Sequence, residues 1–126
     1  MNAVDIIACL FALQVKHFVI DFLMQTKYQW SNKGKLGHPG GILHATLHGV
    51  GTWLVLMPLL PVSAIVVTLL ALGDAVIHYF VDWSKVNINR ATGWTPTNSE
   101  KFWWLLGADQ LIHQLTYLGL LCVVLT

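Results

Sequence analysis

GILHATLHGVGTWLVLMPLLPVSAIVVTLLALGDAVIHYFVDW, residues 41–83, decides the fold of this chain. It holds two apolar runs, each close to the ~20 residues that cross a bilayer as a helix. They meet at Leu59, Leu60, Pro61, Val62 and Ser63, a link without charge whose proline ends one helix or opens the next. The stretch reads as a tight transmembrane hairpin with spans over roughly residues 41–60 and 62–83.

Working outward, two further runs have the same character, roughly residues 3–26 and 101–125. Of the 126 residues, 56% are hydrophobic and 10% are charged, against about 25% charged in a typical soluble domain. The length allows a single domain. The N-terminal run lacks a basic leader and a small-residue cleavage site, so it is expected to stay as a helix. A net charge of +1 and the absence of any recognisable nucleic-acid motif argue against DNA or RNA as a partner. Cys9 and Cys122 lie in separate apolar runs and read as free thiols.

Two polar connections remain, TKYQWSNKGKLGHPGG and SKVNINRATGWTPTNSE. They hold or flank Lys27, Lys33, Lys35, Lys85, Arg90 and Lys101, six of the seven basic residues. The positive-inside rule puts both connections in the cytoplasm and both termini outside, with a belt of tryptophans near that face. Thr97 to Glu100 has the spacing of a capping box for the fourth helix. The expected fold is all-α: an integral membrane bundle of four transmembrane helices with two polar cytoplasmic loops.

Ionisable residues inside membrane spans are rare and call for a reason. Here they recur at helical spacing. Span one has His17, Asp21 and Gln25; span two has His44 and His48; span three has Asp74, His78 and Asp82; span four has Asp109, Gln110 and His113. Residues four apart share a helix face, so each helix carries one polar stripe. Alternating helix directions bring all four stripes into the cytoplasmic half. Imidazoles and carboxylates are ligands for divalent metals. His17, Asp21, His44, His48, Asp74, His78, Asp109 and His113 are therefore the candidate ligands for one or two zinc-, manganese- or iron-type ions. Packed Asp–His hydrogen bonds that serve only the fold are the simpler alternative.

Among the other residues, Lys16 either snorkels or pairs with an aspartate. His38 reads as a loop residue. Gly73 and Gly107 are expected to permit close helix approach, and Tyr117 extends the His113 stripe.

The motifs HFVIDFLMQT (from His17), LHATLHG (from Leu43), HYFVDWSK (from His78) and DQLIHQL (from Asp109) resemble those of a family of small bacterial and phage membrane proteins. That family is catalogued as a domain of unknown function, number thirty-three oh seven. The resemblance covers most of the chain in order. It implies an inner-membrane protein with a motif-rich cytoplasmic half and supplies no activity.

From the residues, the first functional expectation is a metal-dependent hydrolase. Asp21 or Asp82 would be general base, the substrate a lipid or lipid-linked molecule, and Gln25, Lys27, Lys85 and Arg90 a phosphate-holding rim. The alternatives are a metal or proton transport component, and an accessory subunit of a homo-oligomer or larger membrane complex.

Overall fold

The computed structural model describes residues 2–125. Among these it is all-helical. Helix α1 (Ala3–Phe18) runs into a π-helical turn (Val19–Leu23). A short α2 (Lys27–Trp30) sits in the first connection, followed by α3 (Pro39–Leu59), α4 (Ala64–Thr92) and α5 (Glu100–Leu125). Four helical segments are long and apolar enough to cross a membrane, as in a multi-pass membrane protein: Ala3–Leu23, Pro39–Leu59, Ala64–Thr92 and Glu100–Leu125.

Local chemistry explains the ends. The Asn2 side chain caps α1, and His38 caps α3 by accepting from the Gly40 amide, with Pro39 in the first turn where its missing N–H costs nothing. Ser63 caps α4 directly after the hairpin link. At the far end of α4 the helix does not stop near Trp83. It continues through nine further residues whose polarity predicts a loop, and it ends where Gly93 takes a left-handed φ of 68°. Asn87 holds this extension, donating from its side chain to the carbonyls of Trp83 and Gly34. The expected capping box at Thr97 does not start α5. Ser99 takes that role, its hydroxyl accepting from the Lys101 amide.

The bundle is a ring. Helix α3 packs on α1 and α4, and α5 packs on α4 and α1. Paired positions run in opposite directions: Thr52 with Asp74 and His44 with His78 across α3 and α4, Lys85 with Asp109 across α4 and α5. Neighbouring helices are thus antiparallel.

The interior has two levels. One is apolar, built from Cys9, Leu13, Leu56, Leu60, Val67, Leu70, Leu120 and Leu121. The other is polar, and its side chains are as buried as the leucines. Tyr117 joins them, with its ring in the apolar level and its hydroxyl in the polar one. The outer surface is apolar, with Phe11, Leu54, Ile65 and Trp104 more than half exposed. This is an arrangement that water would penalise and hydrocarbon favours.

Close approach of α3 and α4 depends on Gly49, where an added Cβ would lie 3.0 Å from the Ala71 carbonyl oxygen and 3.0 Å from the Ala75 Cβ. Gly73 and Gly107 do not serve this role, because a Cβ there would meet nothing within 4 Å. Gly49→Leu is expected to separate the two helices and cost about 1–3 kcal/mol as overpacking. Unfolding in mixed micelles checks this, with Gly107→Leu as the near-neutral control.

Candidate metal centre

The polar level is assembled around Asp21. This residue lies in the π turn that ends α1, where Met24 N–H bonds the Val19 carbonyl. Single π turns inside helices often mark functional positions because they shift the side-chain register. Asp21 Oδ1 lies 3.0 Å from His44 Nε2, 3.1 Å from His48 Nε2 and 3.5 Å from His78 Nε2. His44 Nε2 and His78 Nε2 are 3.2 Å apart. The three histidines come from α3 and α4, and they and Asp21 are buried. His48 stacks on His78 with centroids 3.5 Å apart, and His78 on His113 at 4.0 Å, so three imidazoles form a column.

Asp82 lies opposite Asp21. Its Oδ2 is 3.1 Å from His44 Nε2 and 3.3 Å from His78 Nε2, and it accepts from Lys33 Nζ at 2.9 Å. Its Oδ1 is buried without a hydrogen-bond partner, as are Asp109 Oδ1 and His113 Nε2. His113 Nε2 sits 3.5 Å from Asp109 Oδ1 and 3.9 Å from Asp82 Oδ1.

The remaining candidates fall outside this inner group. His17 spends both ring nitrogens: Nε2 lies 3.2 Å from Asp21 Oδ2 and 3.1 Å from Gln110 Oε1, and Nδ1 lies 3.0 Å from the Tyr117 hydroxyl. It therefore orients Asp21 from behind. Asp74 is held by Lys16 at 3.0 Å and by the Thr52 hydroxyl at 2.5 Å. Asp109 accepts from Lys85 at 2.7 Å. Gln25 turns back to donate to the carbonyl of Asp21. Lys27 and Arg90 are exposed, and neither forms a hydrogen bond or ion pair with the cluster. Of the four expected rim residues, only Lys85 reaches the site.

Two site residues are not singled out by the sequence, and a third is resolved only by the fold. Lys33 is one of several loop lysines, and no local signal separates it from Lys35. Of the two roles open to Lys16, the structure shows pairing with an aspartate, Asp74. Thr52 carried a usable signal, since it continues the His44–His48 stripe by one more step of four.

A charge pattern follows. Within the cluster, Lys16 pairs with Asp74, Lys33 with Asp82, and Lys85 with Asp109 while also lying 3.5 Å from Asp82. Asp21 alone has no lysine, and its charge is met only by imidazoles. A buried carboxylate needs a compensating charge.

The donor set fits a divalent ion. Two clusters have ligand atoms close enough together to share one: Asp21, His44, His48 and His78, and His78, Asp82 and His113. In the first, four of the six ligand-atom separations are 3.0–3.5 Å and all six lie within 4.8 Å; the four are close to the edge of a tetrahedron with ~2.1 Å metal bonds, about 3.4 Å. Hydrogen bonding accounts for fewer of these contacts: His44 and His78 can bond each other at 3.2 Å with one ring donating and the other accepting, and the accepting nitrogen then has no N–H for the Asp21 oxygen it faces.

No curated protein and no solved structure matches the chain. A family model does match, over residues 9–125, and so the chain belongs to the family described as "Protein of unknown function (DUF3307)".

Proposed function

We propose that the chain is a membrane-embedded metalloprotein, a hydrolase of lipid or lipid-linked esters whose site lies in the cytoplasmic half of the bilayer. The observation that carries this reading is Asp21, the one aspartate of the cluster without a lysine, surrounded by three imidazole nitrogens at 3.0–3.5 Å. Asp21, His44, His48 and His78 would hold the ion. A nitrogen-rich set without thiolate suits zinc, manganese or iron rather than calcium or magnesium. Such an ion, when bound, polarises an ester or phosphoryl oxygen and brings the pKa of water to about 7.

The protein's own groups then divide the work. Asp21 is a ligand, so the general base is Asp82, whose Oδ1 is free of hydrogen bonds. His113 Nε2 is likewise free and can give a proton to a leaving group. His17 holds Asp21 in place and is a positioning residue. The lysines of the two polar connections support the cytoplasmic placement. A transport role has less support. The apolar level closes the other half of the bundle and, among the described residues, offers no polar path.

The test is elemental analysis of detergent-purified protein beside His48→Ala/His78→Ala. About one transition-metal ion per chain is expected in the wild type and less than a tenth of that in the double variant. Metal-free wild type of normal fold sinks the metal reading. Asp82→Asn is expected to keep the ion and to lose at least ~10²-fold in phospholipid hydrolysis, the usual scale for a general base. Absence of lipid hydrolysis by the metal-loaded wild type sinks the hydrolase.

A further inference from the structure

A groove of about 410 Å³ runs between α4 and α5 on the outer face of the bundle. Its walls are apolar: Val76, Phe80 and Ile88 from α4, Leu105 and Ala108 from α5. Two charged side chains also line it, Lys85 and Asp109. Both belong to the polar cluster behind. The Lys85 ammonium donates to Asp109 Oδ2 at 2.7 Å and lies 3.5 Å from Asp82 Oδ1. An ammonium has three protons and Asp109 takes one of them, which leaves protons for a guest in the groove.

Behind this ion pair stand His113 Nε2, Asp82 Oδ1 and Asp109 Oδ1, all buried and without hydrogen bonds. The Lys85–Asp109 pair therefore separates an apolar, lipid-facing groove from buried polar atoms that lack hydrogen bonds, next to the candidate metal ligands. Charge selects the guest. With neutral imidazoles, four carboxylates face three ammonium groups. A divalent ion would leave the cluster one positive charge in excess, and the proton that His113 carries as acid would add another, so an anion is favoured in either state.

We propose that the α4–α5 groove binds a phospholipid of net negative charge from the surrounding bilayer, its acyl chain along the apolar wall and its phosphate on Lys85. This rests on the metal reading for the sign of the charge, and it deepens that reading by naming the substrate class and its path. The phosphate shares the ammonium with Asp109 and sets the ester beside His113 and Asp82. A neutral lipid would fill the groove but leave Lys85 as it is. Free phosphate would meet Lys85 but gain nothing from the walls.

The experiment is equilibrium binding of radiolabelled dioleoyl phosphatidic acid to the detergent-purified chain. The comparisons are dioleoylglycerol as the neutral lipid and inorganic phosphate as a competitor. Saturable binding near one lipid per chain is expected. Ala108→Trp, which fills the groove from a lipid-facing position, should weaken it at least tenfold with the metal content unchanged. Lys85→Gln should weaken it similarly, and Lys27→Gln should leave it intact. Equal binding by the wild type and Ala108→Trp overturns the proposal. So does equal retention of dioleoylglycerol, or displacement by inorganic phosphate at concentrations comparable to the lipid's. Groove-dependent anionic-lipid binding by a metal-free wild type would support the groove and sink the metal reading. Metal-loaded protein whose lipid binding ignores the groove would do the reverse.

Discussion

Asp21→Asn is expected to abolish metal retention, with occupancy falling from about one ion per chain to below a tenth, as measured by elemental analysis after dialysis. The substitution keeps the volume and removes the one carboxylate charge that no lysine balances. It also turns an anionic ligand into a neutral amide, among the weakest donors for a zinc- or iron-type ion. His17→Ala, one step behind, should cost about 10- to 100-fold in affinity by chelator competition, the usual effect of losing a partner that orients a ligand. Stability separates this view from a network that serves only the fold. In metal-free protein, Asp21→Asn removes a buried charge lacking a full counter-charge, so it should be as stable as the wild type or more so. If the histidines exist to hydrogen-bond Asp21, the same change should destabilise the metal-free chain by at least 1–3 kcal/mol, the cost of stranding buried polar groups.

Lys16→Met should be among the most destabilising single changes in the molecule, by about 3–5 kcal/mol, because it strands the charge of a buried Asp74. Methionine replaces much of the apolar stem, so lost packing contributes little. The Lys16 ammonium also donates to the Tyr117 hydroxyl at 3.0 Å and to the His48 carbonyl at 3.3 Å, which ties α1 to α3, α4 and α5 at one point. Lys16→Met/Asp74→Asn should recover most of the loss, since no unpaired charge remains. Denaturant titration of the four proteins in mixed micelles closes the double-mutant cycle. Additive effects of the two changes would refute the pairing. Metal occupancy should fall less in Lys16→Met than in Asp21→Asn, because Asp74 lies outside the inner group.

Much of this molecule is written in its linear order. The apolar runs and the chargeless link at Pro61 carry the four helices and the hairpin, because bilayer thickness sets a length that composition alone can meet. The polar stripes are equally legible. Four-residue steps such as His17–Asp21 and Asp74–His78–Asp82 stand out in an apolar background, and packing does bring them to one level. Less legible were the elements outside the apolar runs. The nine residues after Trp83 look like loop by polarity, yet they extend α4, held by Asn87 bridging to the Gly34 carbonyl.

What each stripe residue does was decided only by tertiary structure. A period of four places side chains on one face without setting how far that face is rotated or slid against its neighbours. One helical turn advances about 5.4 Å, whereas a metal–ligand bond is only about 2.1 Å long. A shift too small to alter the sequence pattern therefore decides whether an imidazole joins the inner group or stands behind it. His44 and His17 differ in this way: each lies about 3 Å from an Asp21 oxygen, but only His44 also lies 3.2 Å from another imidazole nitrogen of the inner group, His78 Nε2. The π turn at Asp21 and the pairing of Lys16, Lys33 and Lys85 with three of the cluster's four aspartates depend on contacts between distant segments. Those contacts leave Asp21 as the charge to be met, and only the packed helices show it.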